Sequence, residues 1–339
     1  MQMKKDEKTR RIALVTGATS SLGRRIVEEL LKRKYEVRAT LQTHPNDTAE
    51  WRGLPSGVRV YAVDIGMSDE QTKKTLAEAC RGAGVVFHLA AATSNAANRY
   101  NEMINTNVIG TENILRAFVD TNPNSERLKF IYSSSITVYG YKRRGEVLTE
   151  ESETKPESAY SESKYMAEQI IKAFGAANKR LDYTILRIGV MYGRGYEHSF
   201  MRIFRMLKEG KLVYIGNGAN HLALIHIDDV VRGFFLVLDS GKAANGIYNL
   251  TDGVKYTQAE LFKKAARMLN AREPTKSVHP MLAGLAAKAK GINIDQFKFL
   301  ISDRIVSIDK IKKELKFRPL VSMDAGGRQL AGEFLKRQM

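Results

Sequence analysis

Short apolar runs alternate with amphipathic stretches through the first half of the chain. IALVTGA (12–18) is rich in branched residues and closes at a small-residue turn, as a buried strand does. Leu22, Ile26, Val27, Leu30 and Leu31 then recur at helical spacing. EVRATL (36–41), VRVYAVDI (58–65), GVVFHLAAA (84–92), LKFIYSSS (128–135) and DYTILRIG (182–189) read as further strands. Between them, EQTKKTLAEACRG (70–82), Asn101–Thr121 and YSESKYMAEQIIKAFGAAN (160–178) predict helices. Repeated strand–helix alternation needs right-handed crossovers, so the pattern predicts an α/β fold with a doubly wound parallel sheet of Rossmann type.

After residue 189 the rhythm changes. FMRIFRMLKEGK (200–211) is helical, LALIHI (222–227) strand-like, and DDVVRGFFLVLDSG (228–241) a helix ended by glycine. GIYNLTDG (246–253) reads as a short strand and TQAELFKKAARMLN (257–270) as a capped helix. The organisation expected is a dinucleotide-binding domain over 11–188, with 223–252 returning to it. Residues 189–222 and 253–339 then form a smaller, interleaved C-terminal substrate lobe. Length agrees, since 339 residues at about 150 per domain give about two domains. Met281–Ala289, apolar and Ala-rich with Lys288 and Lys290 at its end, reads as a buried helix in preference to a pocket cap or a membrane contact.

Composition narrows the function classes. With 43% hydrophobic residues and seven prolines the chain can bury a core. No run approaches the roughly 18 apolar residues of a spanning helix, so no stable membrane insertion is expected. The start lacks the apolar region of a signal peptide, and the single cysteine, Cys80, excludes an internal disulfide framework; a cytoplasmic protein is expected. The balance of 54 cations against 37 anions is +17, a surface that attracts anions. The charge is scattered in small clusters (Lys4–Arg11, Lys32–Lys34, Lys142–Arg144, Lys310–Lys313), with neither zinc-finger spacing nor aromatic RNA-binding motif, so nucleic acid is not expected as a partner.

Candidate chemistry begins at the first strand-to-helix turn, Thr16-Gly17-Ala18-Thr19-Ser20-Ser21-Leu22-Gly23. Backbone amides and the helix dipole there can hold a pyrophosphate, with Gly17 making the turn and Gly23 the close helix packing. Ser20 stands where glycine is usual. The second strand carries no acid at its end to bind a ribose hydroxyl, whereas Arg38, or Arg24, can pair with a 2′-phosphate; NADP is slightly favoured over NAD.

Tyr160 and Lys164 lie four residues apart, on one helix face. A phenol titrates near pKa ~10, and an adjacent ammonium is expected to lower that value toward acid/base use. Upstream, Ser133, Ser134 and Ser135 end a strand, so Ser135 is a candidate to hold a substrate oxygen.

With these motifs in order (TGATSSLG, VDI, VFHLAAA, NTNVIGTENIL, IYSSSITVYG, YSESK, LRIGVMYGRG, LIHIDDVV, GIYNLTDG), the chain resembles the extended short-chain dehydrogenases/reductases. That superfamily includes NAD-dependent epimerase/dehydratases, dihydroflavonol reductases and hydroxysteroid dehydrogenases. The resemblance implies a catalytic triad of Ser135, Tyr160 and Lys164, and a pyrophosphate loop of Gly17, Ser20, Ser21, Leu22 and Gly23. It further implies adenine contacts at Asp64 and Ile65, a cofactor-side strand at Leu89, Ala90 and Ala91, a ribose contact at Lys164, and Ile188 where the family commonly has proline. A homodimer is expected on the same ground.

For substrate, members acting on nucleotide-diphosphate sugars carry an arginine in a GDG-x-Q-x-R-D segment. Here Gly216–Ala223 reads GNGANHLA, with Leu222 in that place, and leucine cannot neutralise a diphosphate. The pattern sits closer to the hydroxysteroid and flavonol-type branch. The function expected is therefore NAD(P)-dependent interconversion of a secondary alcohol and a ketone. The alternative is a nucleotide-sugar epimerase/dehydratase with tightly bound NAD, in which Arg202 or Arg205 replaces the clamp. His226, Asp228 and Asp229 lack a second histidine at ligand spacing, so no metal is expected. His88 reads as a satisfied core residue and Asn107 as either a water relay or a helix–loop bond. Tyr139, Tyr192 and His198 are pocket candidates but more commonly packing.

Overall fold

The computed structural model describes residues 11–42, 53–93, 100–141, 145–289 and 294–337. The basic clusters at Lys4–Lys8 and Lys142–Arg144, and Lys290, lie outside the described residues. Strands β1 (Ile12–Thr16), β2 (Glu36–Leu41), β3 (Arg59–Ala62), β4 (Ala83–His88) and β5 (Leu128–Ser135) belong to a seven-stranded parallel sheet. Its order is Gly246–Leu250, Leu181–Ile188, β5, β4, β1, β2, β3. The order reverses on either side of β1, the topology in which ligands bind beyond the carboxyl ends of the strands. Helices α1 (Ser21–Lys32) and α2 (Glu70–Cys80) follow the first and third strands.

Two compact units emerge. The first comprises the described residues of Met1–Ala92, Tyr100–Ser133 and Met166–Ile185; the second those of Thr93–Arg99, Ser134–Tyr165 and Leu186–Met339. In the first, β1 is buried on both faces at Ala13, Leu14 and Val15. This is why it reads as a continuous apolar run and not as an alternating one. Helix α1 covers it through Leu22, Ile26, Val27 and Leu30, the positions its periodicity marks. In the second unit, Phe200, Phe204, Phe262, Leu330 and Phe334 form a core among the helices His198–Lys208, Gln258–Met268 and Met323–Lys336. The helix Gln258–Met268 opens with the expected cap: Thr257 and Glu260 complete a reciprocal capping box.

Four elements depart from the sequence pattern. Strands β3 and β4 stop at Ala62 and His88, short of Ile65 and Ala92, because the chain leaves the sheet there to make loops held by side chains. The stretch expected as one helix over 101–121 is α3 (Tyr100–Met103), a π-helical segment at Ile104–Ile109, and α4 (Gly110–Asp120). The helix Pro280–Ala289 is not buried: Met281, Leu282 and Leu285 are 60–70% exposed. Its apolar residues run all round, so composition specifies no face; Ala287 is buried and Gly284 lies against Phe297. Among the described residues no helix is long and apolar enough to cross a membrane.

Candidate functional site

The candidate pyrophosphate loop, Gly17–Gly23, belongs to the first unit. Gly17 has φ +68°, where a side chain would be strained, and a Cβ there would stand 2.8 Å from the Ala90 nitrogen. A Cβ on Gly23 would collide with the Gly17 carbonyl. Both glycines are thus required by the closeness of the turn. Ser20 is not a defect in it. Its φ is −65°, which any residue adopts, and it is the N-cap of α1. Its hydroxyl accepts from the Gly23 amide (3.0 Å) and donates to the Gly17 carbonyl (2.8 Å), closing the loop on itself. Ser21 and Leu22 open the helix, whose first turn contains no acidic residue. A capped helix N-terminus without carboxylates fits a dinucleotide diphosphate.

The neighbouring loops are braced by side chains. Asn107, in the π-helical segment, accepts from the Ala92 amide (2.7 Å) and donates to the Ala92 carbonyl (3.1 Å). The expected helix–loop bond is present, and it holds the end of the Leu89-Ala90-Ala91 segment, which is loop and not strand. Asp64 accepts from Gln42 Nε2 (3.0 Å) and the Gly66 amide (2.9 Å), and Asn113 Nδ2 donates to the carbonyls of Ile65 and Met67, each at 2.8 Å. Two carbonyls tied to one amide fix the Asp64–Ile65 turn.

Arg38 corrects the expectation placed on it. It is buried, and its Nη1 donates to the carbonyls of Glu78 (3.2 Å), Ala79 (3.1 Å) and Arg81 (2.7 Å), while Nε pairs with Glu36 (3.3 Å). The guanidinium caps the carbonyl end of α2, where the helix dipole favours a cation. It is not available to a 2′-phosphate. Arg24 keeps its Nε on the Thr19 carbonyl (3.0 Å).

The second unit holds Ser135, Tyr160, Lys164 and Ile188. Ser135 is the N-cap of the 3₁₀ turn Ile136–Tyr139. Its Oγ accepts from the Thr137 amide (3.2 Å) and the Thr137 hydroxyl (3.0 Å). Helix α5 (Ala159–Ala177) presents Tyr160 and Lys164 one turn apart, with Nζ 5.9 Å from the phenol ring centroid. A serine knot holds its start: Ser161 Oγ accepts from the amides of Glu157 (3.1 Å) and Ser158 (2.9 Å), and the Ser158 and Ser161 hydroxyls lie 2.9 Å apart. Lys164 is buried. The expectation that Lys164 lowers the phenol's pKa does not hold: burial pushes Tyr160 up to about 12, with Tyr196 reinforcing it. Loss of hydration outweighs an ammonium that stands off the ring at nearly 6 Å. Ile188 ends its strand, buried.

The remaining candidates sort by burial. Tyr139 donates to Asn249 Oδ1 (2.7 Å) beneath the Arg187 guanidinium, and Tyr192 packs edge-on to His226; both are fully buried packing residues. His198 is exposed. His226 caps the helix Ile227–Asp239, and Asp229 accepts from the Leu320 and Val321 amides. Among the described residues no group of three metal-ligating side chains occurs. Arg202 and Arg205 are exposed, on the helix face away from Phe200, Met201 and Phe204. Sequence reasoning missed Thr137, Ser158 and, above all, Arg304, a buried arginine in the second unit. Thr137 and Ser158 had a local signal, as hydroxyls at turn and helix starts. Arg304 had none, because its burial is tertiary.

Comparison with known proteins agrees with this frame. A profile of the NAD dependent epimerase/dehydratase family matches residues 13–251. The UDP-glucose 4-epimerase of Vibrio cholerae is 26% identical over 343 residues, 98% of either chain. The decarboxylating sterol-4-alpha-carboxylate 3-dehydrogenase of Dictyostelium discoideum is 25% identical over 260 residues, 74% of this chain and 75% of that one. Among solved structures, MoeE5 in complex with UDP-glucuronic acid and NAD superposes with a TM-score of 0.75 at 22% identity, covering 96% of this chain and 99% of its own, a likeness of fold. With a Rossmann sheet, its glycine turn and a matching profile over more than two thirds of its length, the chain belongs to the NAD-dependent epimerase/dehydratase family of extended short-chain dehydrogenases/reductases.

Proposed function

We propose that the chain is an NAD(P)-dependent oxidoreductase interconverting a secondary alcohol and a ketone, with Ser135, Tyr160 and Lys164 as its catalytic residues. Gly17, Ser20, Ser21, Leu22 and Gly23 would hold the diphosphate, Asp64 and Ile65 the adenine, and Lys164 with Ile188 the nicotinamide end. The nicotinamide dinucleotide, when bound, supplies or takes up the hydride. In the reductive direction Ser135 donates a hydrogen bond to the carbonyl oxygen, and Tyr160 gives that oxygen the proton that completes the alcohol. Lys164 then balances the charge left on the phenolate.

The Ser135 hydroxyl and the Tyr160–Lys164 pair support this reading most strongly. Both acceptor positions of Ser135 Oγ are engaged by Thr137, which leaves its hydrogen to donate outward. Tyr160 and Lys164 stand one turn apart on α5, with Nζ 5.9 Å from the phenol ring centroid, so an ammonium lies near enough to balance a phenolate. Tyr160→Phe should cut turnover of ketone with NAD(P)H by about 10²–10⁴-fold while leaving cofactor affinity unchanged. Wild-type turnover in that variant would remove the mechanism. The epimerase reading draws on the Vibrio relative's full-length match. Leu222 and the outward-facing Arg202 and Arg205 weigh against its usual clamp. Net NAD(P)H consumption separates the two.

A further inference from the structure

Arg304 is 2% exposed, and among the described residues neither its Nε nor its Nη2 has a hydrogen-bond partner. Nη1 alone is engaged, on the Phe299 carbonyl at 3.2 Å, while the backbone amide of Arg304 is fixed to the His221 carbonyl at 3.1 Å. The guanidinium carbon lies 4.0 Å over the Phe299 ring centroid and 5.4 Å from that of Tyr141. Burial draws its pKa down to about 10, so it is still a cation at neutral pH. A buried cation with two orphaned donors is among the costliest arrangements in a protein interior. Nε and Nη2 form one edge of the guanidinium, two parallel N–H groups spaced for the two oxygens of a carboxylate or phosphate. Aromatic walls hold this edge in place without offering it an acceptor.

The surroundings tie the edge to the substrate end of the second unit. Tyr141, the buried wall, donates its backbone amide to the Glu157 carboxylate (3.0 Å), three residues before Tyr160. Phe299, the other wall, is only half buried. We propose that the Nε–Nη2 edge of Arg304 is the substrate's oxyanion site, taking a carboxylate or phosphate group in two parallel hydrogen bonds, with entry past the Phe299 ring. The substrate is then an anionic alcohol or ketone and not a wholly apolar one, and Arg304 provides the clamp that Leu222 cannot. The assignment rests on the reading of Tyr160 as the reacting end, but its test does not.

Thermal unfolding without cofactor, in inorganic pyrophosphate or malonate against chloride at matched ionic strength, reads the site directly. The wild-type protein should show a saturable rise in melting temperature with at least one probe. Pyrophosphate identifies a phosphate site, malonate a carboxylate site. Arg304→Met should melt at or above the wild-type temperature without probe, since it removes a buried unpaired charge, and should not respond to either anion. Arg304→Lys keeps the charge but loses the fork, and should bind the active probe about ten- to a hundredfold more weakly. A wild-type protein indifferent to both anions, or an Arg304→Met or Arg304→Lys variant that responds as wild type does, overturns the proposal. Wild-type turnover in Tyr160→Phe would sink the hydride-transfer reading while leaving these anion responses as they stand.

Discussion

Thr16 Oγ1 and His88 Nδ1 lie 2.8 Å apart in the buried floor of the first unit, and the direction of that bond follows from its neighbours. The Thr16 hydroxyl already accepts from the amides of Leu89 and Ala90, each at 3.1 Å, so its hydrogen goes to Nδ1. Thr111 spends its own hydrogen on the Asn107 carbonyl (2.6 Å) and therefore accepts from His88 Nε2 (2.8 Å). His88 is a neutral imidazole carrying its proton on Nε2. The relay joins the end of β1 to the loop after β4, both of which flank the glycine turn.

Thr16→Val keeps the shape and removes the hub. Two loop amides and a ring nitrogen lose their partner, for an expected loss of about 2–4 kcal/mol of stability in urea unfolding. Thr16→Ser should restore most of it. Equal stability of the valine and serine variants would mean the relay contributes nothing.

Arg38→Leu tests the corrected role of that residue. Three carbonyls at the end of α2 and the Glu36 carboxylate lose a buried cation, so stability should fall by about 2–4 kcal/mol. The ratio of NAD to NADP affinity, measured by titration calorimetry on the folded variant, should not change. A selective loss of NADP binding would return Arg38 to the cofactor.

What could be read from the sequence follows the range of the forces involved. The apolar run of β1 and the heptad-like face of α1 are local patterns, and the structure keeps both. The Thr257–Glu260 box was legible for the same reason. Arg38 was misjudged because a strand residue's partner is decided by whichever helix packs on that face, here the end of α2, about forty residues away. Tyr160 was misjudged because spacing reports the nearby ammonium but not the water the phenol loses. The exposed helix Pro280–Ala289 shows the converse: hydrophobic composition without a periodic face says nothing about what covers it.

Asp252 carries the clearest pH dependence. Burial, with repulsion from Asp229, raises its pKa to about 6, against the Val254 amide that bonds the charged form at 3.0 Å. The folded state therefore holds this proton more tightly than the unfolded chain, whose carboxyl titrates near 3.8. Stability contributed by this group is full below about pH 4, declines as pH rises toward 6, and is absent above it. Two pKa units correspond to a deficit on the order of 3 kcal/mol at pH 7. Asp252→Asn preserves the oxygen that accepts from Val254 and removes the charge, so it should stabilise the protein at pH 7–8 by up to roughly that amount and by little at pH 4. Denaturant unfolding of both proteins between pH 4 and 8 checks this. Parallel curves across the range would mean that Asp252 loses its proton as easily in the folded protein as in the unfolded chain.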